Sequence, residues 1–149
     1  MKIRGQYVTR NSLVVGARRP VPGRVPAVFT TFTFLPMRGQ KRTVSCWSLV
    51  DSGAAGLVVP GHFVGIRDID ENGEWTAVAN SVAARSAIQP YQMRGIGGVY
   101  QGVGLRADVE LAGESIGRPI QVGVSTRLSH AIVGRRVLNR FIIQLDPSA

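Results

Sequence analysis

"SCWSLVDSGAAGLVVP", residues 45–60, contains the first carboxylate of the chain, Asp51, after fifty residues without an acid. Leu49 and Val50 precede it, small Ser52, Gly53 and Ala54 follow, and an apolar run resumes at Leu57. A carboxylate at the end of an apolar strand is costly to desolvate unless it is paired, protonated or hydrogen-bonded. On these residues alone, Asp51 reads as a turn opener whose side chain bonds the amides that follow it. Its setting decides whether it is more than that.

Strand signals lie on both sides of this turn. Upstream, "AVFTTFTFLP" (27–36) sets Val28, Thr30, Phe32 and Phe34 against Phe29, Thr31 and Thr33. β-Branched and aromatic residues in strict alternation predict a strand. "MRGQKR" (37–42) is its turn, and "TVSCWSLV" (43–50) is the returning strand that delivers Asp51. Downstream the pattern weakens: "DIDENGEW" (68–75) reads as a polar loop, and "TAVANSVAARSAI" (76–88) fits a short helix and an irregular strand equally. Beyond Pro90, two strands flank the glycines of "MRGIGGVYQG" (93–102). Leu105, Ala107, Val109 and Leu111 then alternate with Arg106, Asp108 and Glu110, the period of a half-buried strand with a charged outer face. "PIQVGV" (119–124), "AIVG" (131–134) and "FIIQLD" (141–146) complete the strands, and "RRVLNRF" (135–141) predicts one short helix. The fold class expected is all-β.

At 149 residues the chain is expected to form one domain with its own core. Its 18 glycines and 8 prolines suit many turns and short strands. Cys46 is the sole cysteine, which rules out an internal disulfide and a cysteine-rich metal site. No apolar run approaches the roughly 18 residues of a membrane helix. The apolar patch Leu13–Ala17 is shorter than the about 7–15 residues of a secretory signal. A soluble, cytoplasmic protein without membrane attachment is expected.

Charge is unevenly placed. Residues 1–42 carry nine basic residues and no acid, and the nine basic residues beyond them balance all nine acids, so the net +9 resides in the first 42. "ARRPVPGRVP" (17–26) has three prolines and reads as extended and exposed. Residues 1–24 are therefore expected as a basic, extended arm, with the folded domain at 25–149. Such an arm is a solvated leader or meets nucleic acid, an acidic membrane surface or an acidic partner.

Other motifs resolve to plain structure. "GVGLRA" (102–107) spells a dinucleotide fingerprint, but period-2 residues follow where a helix must start, so Gly102 and Gly104 read as turn glycines. Ser52 lacks the GxSxG elbow, and His62 and His130 have neither a triad nor an HExxH context, so both read as surface or strand-end residues. No metal site and no cofactor are expected.

"SLVDSGAAGLVVP" (48–60), "MRGIGGVYQG" (93–102) and "HAIVGRRVLNRFIIQLD" (130–146) form an ordered set. It resembles, in turn, the active-site segment, the glycine-rich flap and the C-terminal signature of the retropepsin-like (retroviral-type) aspartic proteases. With the strand before Asp51, the set spans residues 43–146, about two-thirds of the chain.

The resemblance implies a small closed β-barrel-like fold with a flap hairpin. It also implies a homodimeric aspartic endopeptidase in which Asp51 of each chain meets its symmetry mate. Ser52 would hydrogen-bond across the dimer axis, Gly53 would permit the tight turn, and Ala54 would keep that region small. The flap, Arg94 to Tyr100, would use Gly95, Gly97 and Gly98 for mobility and Ile96 as its apolar tip over a peptide or protein substrate. Val58, Val59 and Ile132 would wall the pocket, and Gly134 and Arg135 would support the site. Ala55 stands where viral members commonly carry an acid that pairs with the arginine of the Gly-Arg pair, and Arg136 stands where they carry Asp or Asn. These departures keep a second reading open, a catalytically silent dimerisation or peptide-binding module. A third, nucleic-acid binding through the basic arm, is compatible with either.

Overall fold

The computed structural model describes residues 2–13, 24–69, 74–95 and 98–146. In chain order the elements are β1 (Lys2–Thr9), α1 (Arg10–Leu13), β2 (Arg24–Phe34), β3 (Arg42–Val50), β4 (Leu57–Pro60), β5 (Ile66–Ile69) and β6 (Trp75–Ala77). They continue with β7 (Gln89–Gly95), β8 (Gly98–Leu111), β9 (Glu114–Ser115), β10 (Ile120–Ser125), β11 (Ile132–Val133), α2 (Arg135–Leu138) and β12 (Ile142–Asp146).

Six strands close into a small barrel. Neighbours run β2-β3-β11-β4-β10-β8, and β8 pairs back onto β2 with Phe32 opposite Val109. The alternation read from the sequence fills its interior: Val28, Thr30, Phe32, Phe34, Leu105, Ala107, Val109 and Leu111 are all buried. Phe32 and Phe34 lie near-parallel with centroids 6.0 Å apart, and Phe63 meets Phe32 edge-on at 6.4 Å. Burying each such ring stabilises the fold by about 1.5–3 kcal/mol. Thr30, polar and fully buried, donates its hydroxyl to the Val28 carbonyl at 3.2 Å, which removes the cost of an unpaired group.

The outer face of the barrel carries a second cluster. Val8, Leu13 and Ala27 are buried there, with Val25, Trp47 and Leu49 packed on them. This corrects the expected boundary near Arg24. β1 pairs antiparallel with β2 and parallel with β12, so Lys2–Thr9 belongs to the sheet rather than to a solvated arm. The charge pattern hid this, because Lys2 and Arg4 occupy exposed positions while Ile3 between them is 3% exposed. Residues 14–23 of the expected arm lie outside the described residues.

Two other expectations change. Residues 76–88 are neither one helix nor one strand: β6 ends at Ala77, and a 3₁₀ turn follows at Ala83–Arg85. Gly102 and Gly104 are not turn glycines, since both lie within β8 under neighbouring side chains. A Cβ at Gly102 would stand 2.5 Å from the Met93 terminal methyl, and one at Gly104 would stand 2.4 Å from Gln121 Nε2. The short helix expected after Gly134 is α2, and a further helical turn, α1, precedes residues 14–23. Among the described residues no helix is long and apolar enough to cross a membrane.

Candidate functional site

β3 delivers Asp51 to a loop that has to cross another strand. β11 lies between β3 and β4, parallel to the first with Ile132 opposite Leu49, and antiparallel to the second with Ile132 opposite Val58. Residues 51–56 therefore bridge two strand spacings, about 10 Å. The ladder continues into the loop, because the Asp51 amide donates to the Val133 carbonyl at 3.0 Å. A turn then closes where the Ala54 amide donates to the Asp51 carbonyl at 3.2 Å.

The start of α2 holds this loop from the other side. The first N–H groups of a helix have no partner within it, and Gly134 at the N-cap supplies no side chain. The loop supplies the acceptors instead: Arg135 N–H reaches the Ala54 carbonyl at 2.9 Å, and Arg136 N–H reaches that of Ala55 at 2.8 Å. Gly134 is buried against the carbonyls of Ala54 and Gly56. The arginine beside it serves through its backbone, since its side chain is exposed.

The Asp51 carboxylate is half-buried, and its Oδ1 accepts the Gly53 N–H at 2.9 Å. That bond is the local turn expected from the sequence, confined to one amide. Ser52 and Gly53 are exposed beside it. A Cβ at Gly53 would stand 3.1 Å from Oδ1, so glycine keeps the carboxylate uncrowded.

Val58 and Ile132 face each other across the β4–β11 ladder, and neither belongs to the main core cluster. Leu57, Val59 and Val133 point inward and do belong to it. The apolar residues around Asp51 thus divide by strand parity, and Val59 is core rather than wall. Gly95 and Gly98 pair at the end of the β7–β8 hairpin. Ile96 and Gly97, the expected tip, lie outside the described residues.

Sequence reasoning missed Tyr91. It sits near the base of this hairpin with its ring against Gly123 of β10, where a Cβ would be 2.6 Å from its Cε1. Its hydroxyl lies over Gly56 of the Asp51 loop, 2.7 Å from where a Cβ would stand. Tyr91 therefore touches both the loop and the sheet that carries Val58. The sequence holds a signal only in retrospect: both partners are glycines, but Gly56 and Gly123 are distant in the chain.

The histidines lie in other surroundings. His62 is exposed with its ring edge-on to Phe63 at 5.0 Å, and His130 Nδ1 is 3.4 Å from the Ser129 hydroxyl. Among the described residues no three His, Cys, Asp or Glu side chains are grouped as metal ligands. Cys46 is buried inside the barrel, where desolvation pushes its thiol above the ordinary value.

No protein-family model and no curated protein matches this chain.

Proposed function

We propose that the chain is one subunit of a homodimeric aspartic endopeptidase whose catalytic dyad is Asp51 with its symmetry mate. One observation carries this. A carboxylate-bearing turn closes the gap between two strands separated by a third, and the amides that follow that third strand clamp it. Such a clamp fixes a carboxylate at the barrel surface while leaving it partly open, as a group that must meet its twin requires.

A two-fold contact brings any residue near the axis to its own copy. Two carboxylates about 3 Å apart cannot both ionise and share one proton. The ionised member would take a proton from a bound water as it attacks the scissile carbonyl. The protonated member would hydrogen-bond that carbonyl oxygen, and a proton would then pass to the leaving nitrogen. The Gly53 N–H on Oδ1 orients the carboxylate for this role. Val58 and Ile132 supply apolar wall for substrate side chains, and the β7–β8 hairpin supplies a cover for an extended peptide bound by strand addition.

The test compares peptide hydrolysis by the wild type and Asp51→Asn across acidic to neutral pH, with oligomeric state recorded in the same samples. The wild type should give a bell-shaped profile on the acidic side, because activity needs one proton shared by the pair. Asp51→Asn should lose hydrolysis while keeping its thermal unfolding midpoint within a few degrees. Equal cleavage by both proteins would remove Asp51 from the mechanism. Peptide binding without turnover in the wild type would identify the silent module instead.

A further inference from the structure

Far from Asp51, at the other end of β3, a two-lobed groove runs beside the β2–β3 turn. The larger lobe, about 390 Å³, has Leu35, Met37 and Pro119 as its apolar wall and Gln89, Gln121 and Arg106 as its polar one. The smaller, about 270 Å³, adds Arg38, Arg85 and Ala84. Met37, Ser86 and Ala87 line both. Nine residues of β3 separate the turn from Asp51, on the order of 30 Å of strand.

Three features give this groove a chemistry. None of its lining residues is acidic, while three are arginines. Arg85 is fixed in place: its Nη2 donates to the Gln40 carbonyl at 3.1 Å, and its guanidinium lies on Gly39, where a Cβ would stand 3.0 Å from Nη1. The Arg85 Nε–H is buried without an acceptor, alone in this respect among the side chains of the described residues. A guanidinium pairs best with a carboxylate, so the two arginines of the smaller lobe favour an acidic ligand. Finally, Gln121 Nε2 donates to Gln89 Oε1 at 3.3 Å, leaving the Gln89 amide nitrogen and the Gln121 amide oxygen as a donor and an acceptor for a peptide backbone.

We propose that this groove binds an extended peptide segment carrying an apolar residue next to an acidic one. The apolar side chain covers Leu35, Met37 and Pro119 in the larger lobe. The carboxylate enters the smaller lobe, between the side chains of Arg38 and Arg85. An isolated phosphate or a nucleic-acid backbone satisfies the arginines but leaves the apolar wall uncovered, so an acidic peptide fits better. The site is independent of what Asp51 does.

Fluorescence anisotropy with the full chain tests it, using a labelled pentapeptide blocked at both ends with Leu-Glu at its centre. Parallel probes carry Leu-Gln or Leu-Lys, and a single-stranded oligonucleotide supplies the nucleic-acid arm. The Leu-Glu peptide should bind at least about tenfold tighter than its Gln counterpart, the difference of a charge-assisted contact. Arg38→Gln and Arg85→Lys should each remove most of that preference. Because Arg85 also anchors the turn, Ala87→Trp provides the control. Position 87 is exposed and lines both lobes, so tryptophan should block binding without disturbing the fold, as thermal unfolding would verify. Equal affinity for the three peptides, no saturation at millimolar peptide, or binding untouched by Ala87→Trp would each overturn the proposal. So would an oligonucleotide that binds more tightly than the peptide and is lost in Ala87→Trp.

Discussion

A methyl group added at Gly134 would stand 2.5 Å from the Gly56 carbonyl oxygen and 2.6 Å from that of Ala54. Both oxygens are backbone, so no side-chain rotation relieves the contact. Gly134→Ala should therefore destabilise the protein by on the order of 1–3 kcal/mol and displace the Asp51 loop. Arg135→Ala should leave stability nearly unchanged, because the bond to Ala54 uses the backbone N–H. Thermal unfolding of the two variants side by side checks this ranking. Cys46 makes a second residue-scale statement. Burial raises its thiol above the ordinary value, and the Ser48 hydroxyl at 3.7 Å pulls it partly back. A group raised in the folded state contributes stability that is fully present below its unfolded value and is lost as pH rises through the folded one. Wild-type stability should thus fall between about pH 8 and pH 10 by a component absent from Cys46→Ala, which spans the ordinary thiol range. Denaturant unfolding at both pH values measures it, and parallel pH profiles for the two proteins would contradict it.

At the scale of elements, β1 is the sharpest test of what counts as the fold. A basic leader would tolerate any apolar truncation, whereas a sheet strand would not. Ile3 is 3% exposed and opposes Ile143 of β12, so Ile3→Ala should cost about 2–5 kcal/mol. An unfolding midpoint equal to wild type would return Lys2–Thr9 to the solvent. The same logic separates β8 from its neighbours. Its Arg106, Asp108 and Glu110 were legible as an outer face because period 2 needs no knowledge of the partner strand. The roles of Gly102 and Gly104 were not legible, because what excludes a side chain there is Met93 from one neighbouring strand and Gln121 from another. The stretch from 76 to 88 stayed ambiguous for a related reason. Its buried residues, Val82 and Ala83, join the main core from a 3₁₀ turn, which has too few residues to express a period.

For the whole molecule, the proposed activity depends on two copies meeting, which makes concentration a variable. Specific activity should fall on dilution in step with the dimer fraction measured by analytical ultracentrifugation, and constant activity per chain in a monomeric sample would end the shared-dyad mechanism. The net charge of +9 opposes such association at low ionic strength, so moderate salt should shift the equilibrium toward the dimer. The sequence by itself determined the alternating strands within 27–50 and 105–111 and the carboxylate turn after Val50, because alternation, β-branching and turn chemistry act between near neighbours. Asp51 and the turn it opens at Gly53 were identifiable for the same reason, whereas the Gly134–Arg135 pair was marked only by the resemblance of its segment to a known family's signature. Only the tertiary structure decided that β11 fills the gap between β3 and β4, that β8 returns to β2 to close the barrel, that β1 joins the sheet, and that Tyr91 lies over Gly123 and Gly56. Those outcomes rest on pairing and close packing between residues far apart in the chain. Local propensity carries no term for which distant strand offers a matching register or which glycine leaves room for a ring.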